Sequence, residues 1–460
     1  MDEKNTIAAI ATPAGPGGIA IVRVSGPKAE LVAGRLFRPA RGEFPLQSHR
    51  MYYGRILDPV TGRNVDEALC CYMKAPWTYT RQDVTEFHCH GGPVMAGLVL
   101  NLVLDCGAEL ARPGEFTRRA FLAGRMDLSQ AEAVAELIGA RGRVEAELAA
   151  NQLLGGLKDR IEKIGRSLIQ VLARLEAALD FPDEEIEIIG PDSFARLDQA
   201  RLDLEALLAA YEDGRVYRES LQAALVGRPN VGKSSLLNAL ARAEKAIVTD
   251  QPGTTRDVIE AEIMLEGLPL TLVDTAGLGR RPRDEAEEIG QRRAEARLSR
   301  SDLVLLILDL SRPLDEEDRR IFQAVPADRT VMVLNKNDLK ACFTEGEALA
   351  WLGQAPVARI SALTGQGLTE LVRLIAGRIR QGAGRSGAIP EIVPNLRHKK
   401  ALETAKVPLA RALRGVEQGL APELLALELR QALDGLGAVT GRNVTEDVLD
   451  EIFSRFCLGK

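Results

Sequence analysis

Between residues 157 and 175, apolar side chains recur at spacings of three and four: Leu157, Ile161, Ile164, Leu168, Val171, Leu172 and Leu175. That period lines one face of a helix, so the stretch predicts a long amphipathic helix whose stripe needs a partner. Asp180-Phe181-Pro182-Asp183-Glu184-Glu185 breaks it, and the Ala- and Leu-rich residues 192–212 predict another helix. Near the carboxyl end Thr445 reads as a cap, with Glu446 and Asp447 in the first turn of a helix. Its buried stripe is expected to be Val448, Leu449, Ile452, Phe453 and Phe456.

Elsewhere the pattern changes. Residues 1–122 carry short apolar runs broken by Gly and Pro, such as Thr6–Ile10, Gly18–Val24 and Glu67–Met73, with a helix expected near Val94–Leu104. That mixture predicts an α+β domain. Over 220–378 strand and helix signals alternate, as in a mostly parallel sheet with crossover helices. Candidate strands are Leu221–Val226, Val258–Leu265, Leu270–Asp274, Leu303–Asp309, Thr330–Leu334 and Val357–Ile360. Gly382-Ala383-Gly384-Arg385-Ser386-Gly387 reads as a linker, after which helices resume.

Each helical stretch shows one apolar face that it cannot bury by itself. The economical arrangement pairs 123–218 with 385–460 as one helical bundle, interrupted by an inserted α/β domain at 219–384. The predicted fold is therefore multidomain, with the α+β domain at 1–122.

Composition narrows the picture only a little. A chain 46% hydrophobic and 27% charged is ordinary globular protein. The longest apolar run, Leu303–Leu308, is far too short to span a bilayer. Met1-Asp2-Glu3-Lys4-Asn5 opens no signal peptide, so the expected compartment is the cytoplasm and no membrane partner is expected. Six scattered cysteines without a CxxC pair form neither a disulfide framework nor a zinc site. A net charge of −6 argues against a nucleic-acid-coating protein, although residues 1–125 are slightly basic.

The chemistry lies in four motifs in a fixed order. Gly227-Arg228-Pro229-Asn230-Val231-Gly232-Lys233-Ser234 follows a predicted strand and precedes a predicted helix, the context a phosphate-binding loop requires. Its glycines let backbone N–H groups turn toward phosphate, and the helix N-terminus adds its dipole. Lys233 would neutralise β/γ-phosphate charge, and the Ser234 hydroxyl would bind Mg²⁺. Thr255, in Gly253-Thr254-Thr255-Arg256-Asp257, is the expected second Mg²⁺ ligand and γ-phosphate sensor.

Asp274-Thr275-Ala276-Gly277 would hold Mg²⁺ through water and approach the γ-phosphate. In Asn335-Lys336-Asn337-Asp338 the Asp338 carboxylate can accept from guanine N1–H and N2–H₂, which adenine cannot supply. Ser361-Ala362-Leu363 resembles a fifth base-binding motif. A Gly-rich turn alone would be a weak signal; four motifs in this order imply GTP and make ATP improbable. Expected nucleotide contacts also include Ser235, Thr249, Asp250, Gln251 and Pro252.

Leu278 stands where many GTPases carry a water-orienting Gln. An aliphatic side chain cannot orient water, so Glu287 or Glu285 becomes the candidate. Arg228 is a conceivable finger but is expected to face solvent. A missing finger costs about 10³–10⁵ in rate, so another positive charge must serve. A monovalent cation held partly by the Asn230 side chain would suffice.

Other conspicuous residues have plainer readings. His88 and His90 share a strand face from which Cys89 points away, which argues against a joint metal site. They are expected in a ligand pocket or a turn. Cys457 could act covalently, but a lone thiol without a basic neighbour in sequence is usually packing. The acidic run Asp183–Glu187 reads as a solvated loop.

The whole chain resembles the MnmE (TrmE) family of tRNA-modification GTPases. The resemblance rests on Thr6–Pro13, Gly17–Gly26, Arg112–Leu122, Asp127–Ala133 and the terminal Cys457-Leu458-Gly459-Lys460, beside the central motifs. It implies a potassium-stimulated GTPase, with K⁺ ligands from Asn230, Thr249, Gln251 and Thr254. It also places a water-positioning Glu at Glu287, with Glu285 or Glu288 as alternatives. The N-terminal domain is implied to form a homodimer and bind 5-formyl- or 5,10-methylene-tetrahydrofolate, with Arg23, Glu86, Arg125 and Lys460 at the contact positions. Arg125 stands where some members have Lys, which meets a carboxylate with different geometry. The implied partner is the FAD protein MnmG, in a heterotetramer that modifies C5 of the wobble uridine of certain tRNAs. Cys457 would have a role in that modification.

Two other functions compete. A ribosome-assembly switch GTPase shares the central motifs, but such factors usually carry a compact RNA-binding appendage, not a split helical domain. A folate-dependent aminomethyltransferase acting alone would bind folate without needing a flavin partner.

Overall fold

A computed structural model of the chain describes residues 5–181, 190–218, 220–243, 260–274, 296, 298–353, 355–383 and 389–460. Contacts divide the chain into two compact units. One comprises Met1–Gly139, Ala150–Arg201 and Lys400–Lys460; the other comprises Ala140–Ala149 and Leu202–Lys399.

The first unit begins with β1 (Ile7–Ile10), β2 (Ile19–Ser25), α1 (Ala29–Leu36), β3 (Phe37–Pro39), β4 (Arg50–Leu57), β5 (Asn64–Met73), β6 (Val84–His90), α2 (Pro93–Asp105) and β7 (Glu109–Leu110). The strands form one sheet in the order β3-β4-β5-β6-β2-β1-β7, antiparallel except for β1–β7. Alternation decides what each face carries. Ala20, Val22 and Val24 of β2 pack with Val32, Leu36, Val99 and Val103 of the covering helices. Arg23, one residue out of phase, therefore lies on the opposite face, where Ile7 and Ala9 of β1 pack with Ala111 and Phe116.

Helices follow: α3 (Glu115–Leu122), α4 (Leu128–Gly139), α5 (Arg143–Leu153), α6 (Gly156–Asp180) and α7 (Pro191–Gly214). Gly114, at φ 68°, precedes α3 where a side chain would run into Phe453. In α6 all seven residues of the predicted stripe are buried. At roughly 1.5–3 kcal/mol for each fully buried large aliphatic side chain, that face is the helix's main stabilisation.

The second unit holds β8 (Leu221–Val226), α8 (Lys233–Ala243), β9 (Glu260–Leu265), β10 (Leu268–Asp274), β11 (Leu303–Asp309), α9 (Glu316–Ala324), β12 (Thr330–Asn335), α10 (Glu345–Leu352), β13 (Val357–Arg359) and α11 (Leu368–Ala383). Its sheet runs β13-β12-β11-β8-β10-β9, parallel except for the β9–β10 pair. Strands covered on both faces read as continuous apolar runs, and every residue of β11 and β12 is buried. Reciprocal caps open two helices, Asp315 with Asp318 at α9 and Thr344 with Glu347 at α10. The parallel strands bring their carboxyl ends to one edge, the usual ligand edge of such a sheet. Helix α11 continues through Gly382 and Ala383, which were expected in the linker; 384–388 lie outside the described residues.

Three helices complete the chain: α12 (Leu396–Glu417), α13 (Pro422–Thr440) and α14 (Glu446–Ser454). The His398 N–H donates to Asn395 Oδ1 at 2.9 Å, and the Asn395 N–H donates to His398 Nδ1 at 3.1 Å, closing the start of α12. Helix α13 lies along α6, with Arg430 donating to Glu176 at 2.7 Å. Gly435 lets α13 approach the Ala405 backbone of α12, where a β-carbon would not fit. The partner that the α6 stripe demanded is thus supplied from the carboxyl-terminal helices.

Helix α14 sits on α3 through Phe121–Phe453 contact and an Arg118–Asp450 bond of 2.6 Å. Leu449, Phe453 and Phe456 are buried as expected, but Val448 is not, at 38% exposed. Leu449 and Phe453, four apart, take the face toward α3 and leave Val448 on the flank. Among the described residues no helix is long and apolar enough to cross a membrane.

Candidate functional site

At the carboxyl end of β8 the chain turns through Gly227–Gly232 into α8. Gly227 has φ 155° and Gly232 φ 101°, and a β-carbon at either would collide, with the Ile307 carbonyl or the Asn335 side-chain amide respectively. Asn230 adopts φ 64° without being Gly, a conformation Asn tolerates better than most residues. Val231 plugs the loop into the core at 2% exposed. Lys233 Nζ donates to the carbonyls of Gly227 at 2.8 Å and Arg228 at 3.0 Å, which holds its charge inside the loop. Ser234 and Ser235 are exposed in the first turn of α8, where a helix presents its unbonded N–H groups. This cradle, with a fixed ammonium and a hydroxyl at a helix N-terminus, fits phosphate and Mg²⁺ chemistry.

The motif expected to recognise the base, Asn335-Lys336-Asn337-Asp338, begins on the last residue of β12, the strand next to β11. Asn335 is buried; its Nδ2 donates to the Val231 carbonyl at 2.8 Å and its Oδ1 accepts from the Ala362 N–H at 3.0 Å. Lys336, at φ 64°, donates from Nζ to Asp309 Oδ2 at 2.7 Å. Asp338 and Leu363 are exposed at this edge, while Ser361 is buried and its Oγ accepts from the Thr364 N–H at 3.2 Å. Asn230, Lys233, Asn335, Lys336 and Ser361 are thus brought to one sheet edge.

Arg228 does not face solvent as expected. Its guanidinium is held by Asp315, by Glu317 at 3.2 Å and by Asp318 at 3.4 Å, all at the start of α9. Three carboxylates supplied by an element some ninety positions on could not be paired with it by sequence. The remaining nucleotide-site candidates, Thr249, Asp250, Gln251, Pro252, Gly253, Thr254, Thr255, Thr275, Ala276, Gly277, Leu278, Glu285, Glu287 and Glu288, lie outside the described residues. So does the acidic run at 183–187, and Asp274 is described in its backbone only, as the last residue of β10.

A second polar cluster occupies the N-terminal sheet. Arg23 and Glu86 are cross-strand partners on β2 and β6, and Arg23 Nε donates to Glu86 Oε1 at 2.8 Å. His88 Nε2 lies 3.3 Å from Glu86 Oε2. Burial would raise the Glu86 pKa, yet His88 and Arg23 outweigh it and hold the carboxyl at about 2. The Arg23 guanidinium lies 5.8 Å from the ring centres of both Tyr79 and Phe116, and Arg125 lies 4.7 Å from that of Tyr79.

The carboxyl-terminal tail joins this cluster. Gly459, at φ 88°, fits against Ile10 and Ala11 where a β-carbon would clash, and its carbonyl accepts from Arg23 at 3.4 Å. The Phe116 N–H donates to the Lys460 carbonyl at 3.2 Å. Burial and then the Arg23 charge lower the Lys460 pKa, against the opposing pull of Glu86 and Cys457. Arg23, Glu86, Arg125 and Lys460 therefore surround one aromatic floor. Cys457 is exposed at its edge, not packed.

His90 leaves the cluster for Asp66, at 2.7 Å, and Cys89 is buried on the other face with its thiol toward the Ala20 carbonyl. Among the described residues no group of three His, Cys, Asp or Glu side chains could hold a metal. Tyr79 and Phe116 escaped the sequence reading because a lone aromatic in a loop or first turn carries no periodic signal. The buried Arg119, which binds Asn5, Gln82 and Glu115 behind the cluster, escaped it for the same reason.

Over residues 128–457 the chain matches the model of the MnmE helical domain. The chain belongs to the MnmE family. Residues 6–125 match the model described as the GTP-binding protein TrmE N-terminus. Relatives named tRNA modification GTPase MnmE align throughout. The one from Moorella thermoacetica is 44% identical and covers 99% of both chains. The one from Geobacillus kaustophilus is 44% identical over 100% of both. The one from Heliobacterium modesticaldum is 45% identical over 99% of both. Among solved structures, the G domain of the T. maritima FeoB iron transporter aligns at 30% identity with 35% of this chain and 99% of its own, at a TM-score of 0.28.

Proposed function

We propose that this GTP hydrolase of the MnmE family drives the modification of tRNA at C5 of the wobble uridine, as a potassium-stimulated enzyme working with the FAD protein MnmG. The observation that carries the reading is the meeting of Arg23, Glu86, Arg125 and Lys460 around Tyr79 and Phe116. A GTPase that acts only as a switch needs no such cluster.

Its chemistry suits a reduced folate. Glu86, kept ionised, can accept from the N–H groups of a pterin ring; the half-buried Tyr79 ring, backed by the buried Phe116, offers a stacking surface; Arg125 and Lys460 can meet the glutamate carboxylate. Tetrahydrofolate supplies a one-carbon unit when bound. Arg23 would orient Glu86, and Cys457 stands close enough to Lys460 to influence it electrostatically. A homodimer through the N-terminal domain belongs to the same reading.

At the other site, Lys233 would neutralise phosphate charge and Ser234 and Thr255 would ligate Mg²⁺. The side chain of Asn230, with Thr249, Gln251 and Thr254, would ligate K⁺, whose charge takes the place of an arginine finger. Glu287 would position the attacking water. The GTP cycle supplies conformational work and leaves the carbon chemistry to the bound folate and the flavin of the partner.

In cells lacking their own MnmE-family protein, expression of this chain should restore the modified nucleoside at the wobble position, whereas Lys233→Ala should not. Failure of the wild-type chain to restore it, with MnmG present, would overturn the proposal.

A further inference from the structure

Asp309 is the last residue of β11, between β8, which ends in the phosphate loop, and β12, which ends in Asn335. Its side chain is only 4% exposed. Oδ2 accepts from Lys336 Nζ at 2.7 Å and from Arg312 Nε at 3.2 Å, and Oδ1 accepts from the Ser311 N–H at 3.0 Å and Oγ–H at 2.6 Å. Arg312 also reaches the Pro229 carbonyl, at 3.5 Å. Burial pushes the Asp309 carboxyl up, but the bonds from Lys336 and Ser311 prevail and keep it below the usual range.

A buried carboxylate is costly unless its partners repay the lost hydration. The six residues before it on β11, Leu303–Leu308, are apolar, so sheet packing does not call for a charge here. What distinguishes Asp309 is the cation it holds: Lys336, from the base-recognition motif, in a left-handed backbone conformation. Lysine has more rotamer freedom to lose than almost any residue. An ammonium already paired in the free protein loses that freedom on folding, not on binding.

We infer that Asp309 is a positioning residue for the nucleotide: it fixes Lys336 so that the lysine's aliphatic stem forms a preset wall for the purine ring, and through Arg312 it couples that wall to the phosphate loop. The inference rests on the reading that Asn335-Lys336-x-Asp338 receives guanine.

The test is Asp309→Asn in the full chain, which keeps the shape and removes the charge. Release of a fluorescent GDP analogue is followed by stopped flow, with GTP turnover and melting temperature measured alongside. Release should quicken about 10-fold or more, the scale of a lost charge-assisted hydrogen bond. KM for GTP should rise by a larger factor than kcat falls. Placed on a Lys336→Gln background, Asp309→Asn should add less than about twofold, because the two residues act as one unit.

A lower melting temperature with unchanged release would make Asp309 a brace of the fold and overturn the inference. Should the variant not fold, Asp309→Glu displaces the same charge by one methylene, and it too should quicken release. Asp338→Asn, run in parallel, checks the underlying reading. If it does not shift preference from GTP toward XTP, the base site has been misassigned whatever Asp309 does.

Discussion

The side-chain amide of Asn335 donates to the Val231 carbonyl at 2.8 Å, so the last residue of β12 holds the loop between β8 and α8. Its oxygen accepts from Ala362 as well, and the side chain is buried. Asn335→Ala leaves the buried Val231 carbonyl and the part-buried Ala362 N–H without their partner. The expected cost is about 1–3 kcal/mol for each group that stays unsatisfied. Urea unfolding of the nucleotide-free protein should show it, and GTP affinity should fall in parallel.

Arg228 is tied to three carboxylates at the start of α9, and it is expected to brace the loop, not to act as a catalytic finger. Arg228→Ala removes the cation shared by Asp315, Glu317 and Asp318, and burial already raises the pKa of Asp318 despite that cation. The variant should be destabilised by about 1–3 kcal/mol. Its kcat at saturating GTP should fall far less than the ~10³-fold or more that loss of an arginine finger brings. Stability and single-turnover rates measured on one preparation separate the two roles.

Glu86 gives the N-terminal cluster an acid signature. Its carboxyl titrates at about 2 in the folded chain against 4.5 when unperturbed, because His88 and Arg23 outweigh burial. A depressed folded pKa means the ionised group stabilises the protein fully above about pH 4.5, and that stabilisation is lost as pH falls toward 2. At 1.36 kcal/mol per unit it amounts to roughly 3 kcal/mol. Glu86→Gln should flatten the stability profile across this window. Equal acid slopes for both proteins would contradict the ion-pair account.

If a monovalent cation does the work of the missing finger, GTP turnover should rise sharply when K⁺ replaces Na⁺. Glu287→Ala should abolish turnover while leaving nucleotide affinity nearly intact. Steady-state phosphate release in matched salts tests the first expectation, and binding of a non-hydrolysable analogue tests the second. Equal rates in Na⁺ and K⁺ would remove the cation from the mechanism.

How much of this was legible depended on sequence distance. The α6 stripe and the phosphate loop are local patterns, set by helical period and by steric rules within eight residues. Both could be read directly. The pairing of α6 with α13 followed from the need of an apolar face for cover, but its partner could be named only as a region. The Arg23–Glu86 pair needs the β2–β6 register, which alternation alone does not set. Lys460 joins it from 437 positions beyond Arg23, and only the family resemblance suggested that meeting. Arg228 was misjudged and Asp309 overlooked for one reason: the partners that decide each, the α9 carboxylates and Lys336, stand far along the chain, and hydropathy carries no trace of them.

Purified chain, MnmG with FAD, GTP, methylene-tetrahydrofolate, K⁺ and unmodified tRNA test the central claim most directly, read out by nucleoside mass spectrometry of position 34. The account predicts a C5-modified uridine that disappears when GTP is withheld or when Lys233→Ala replaces the wild-type chain. Unmodified uridine with every component active, or modification that proceeds equally well without GTP, would contradict it.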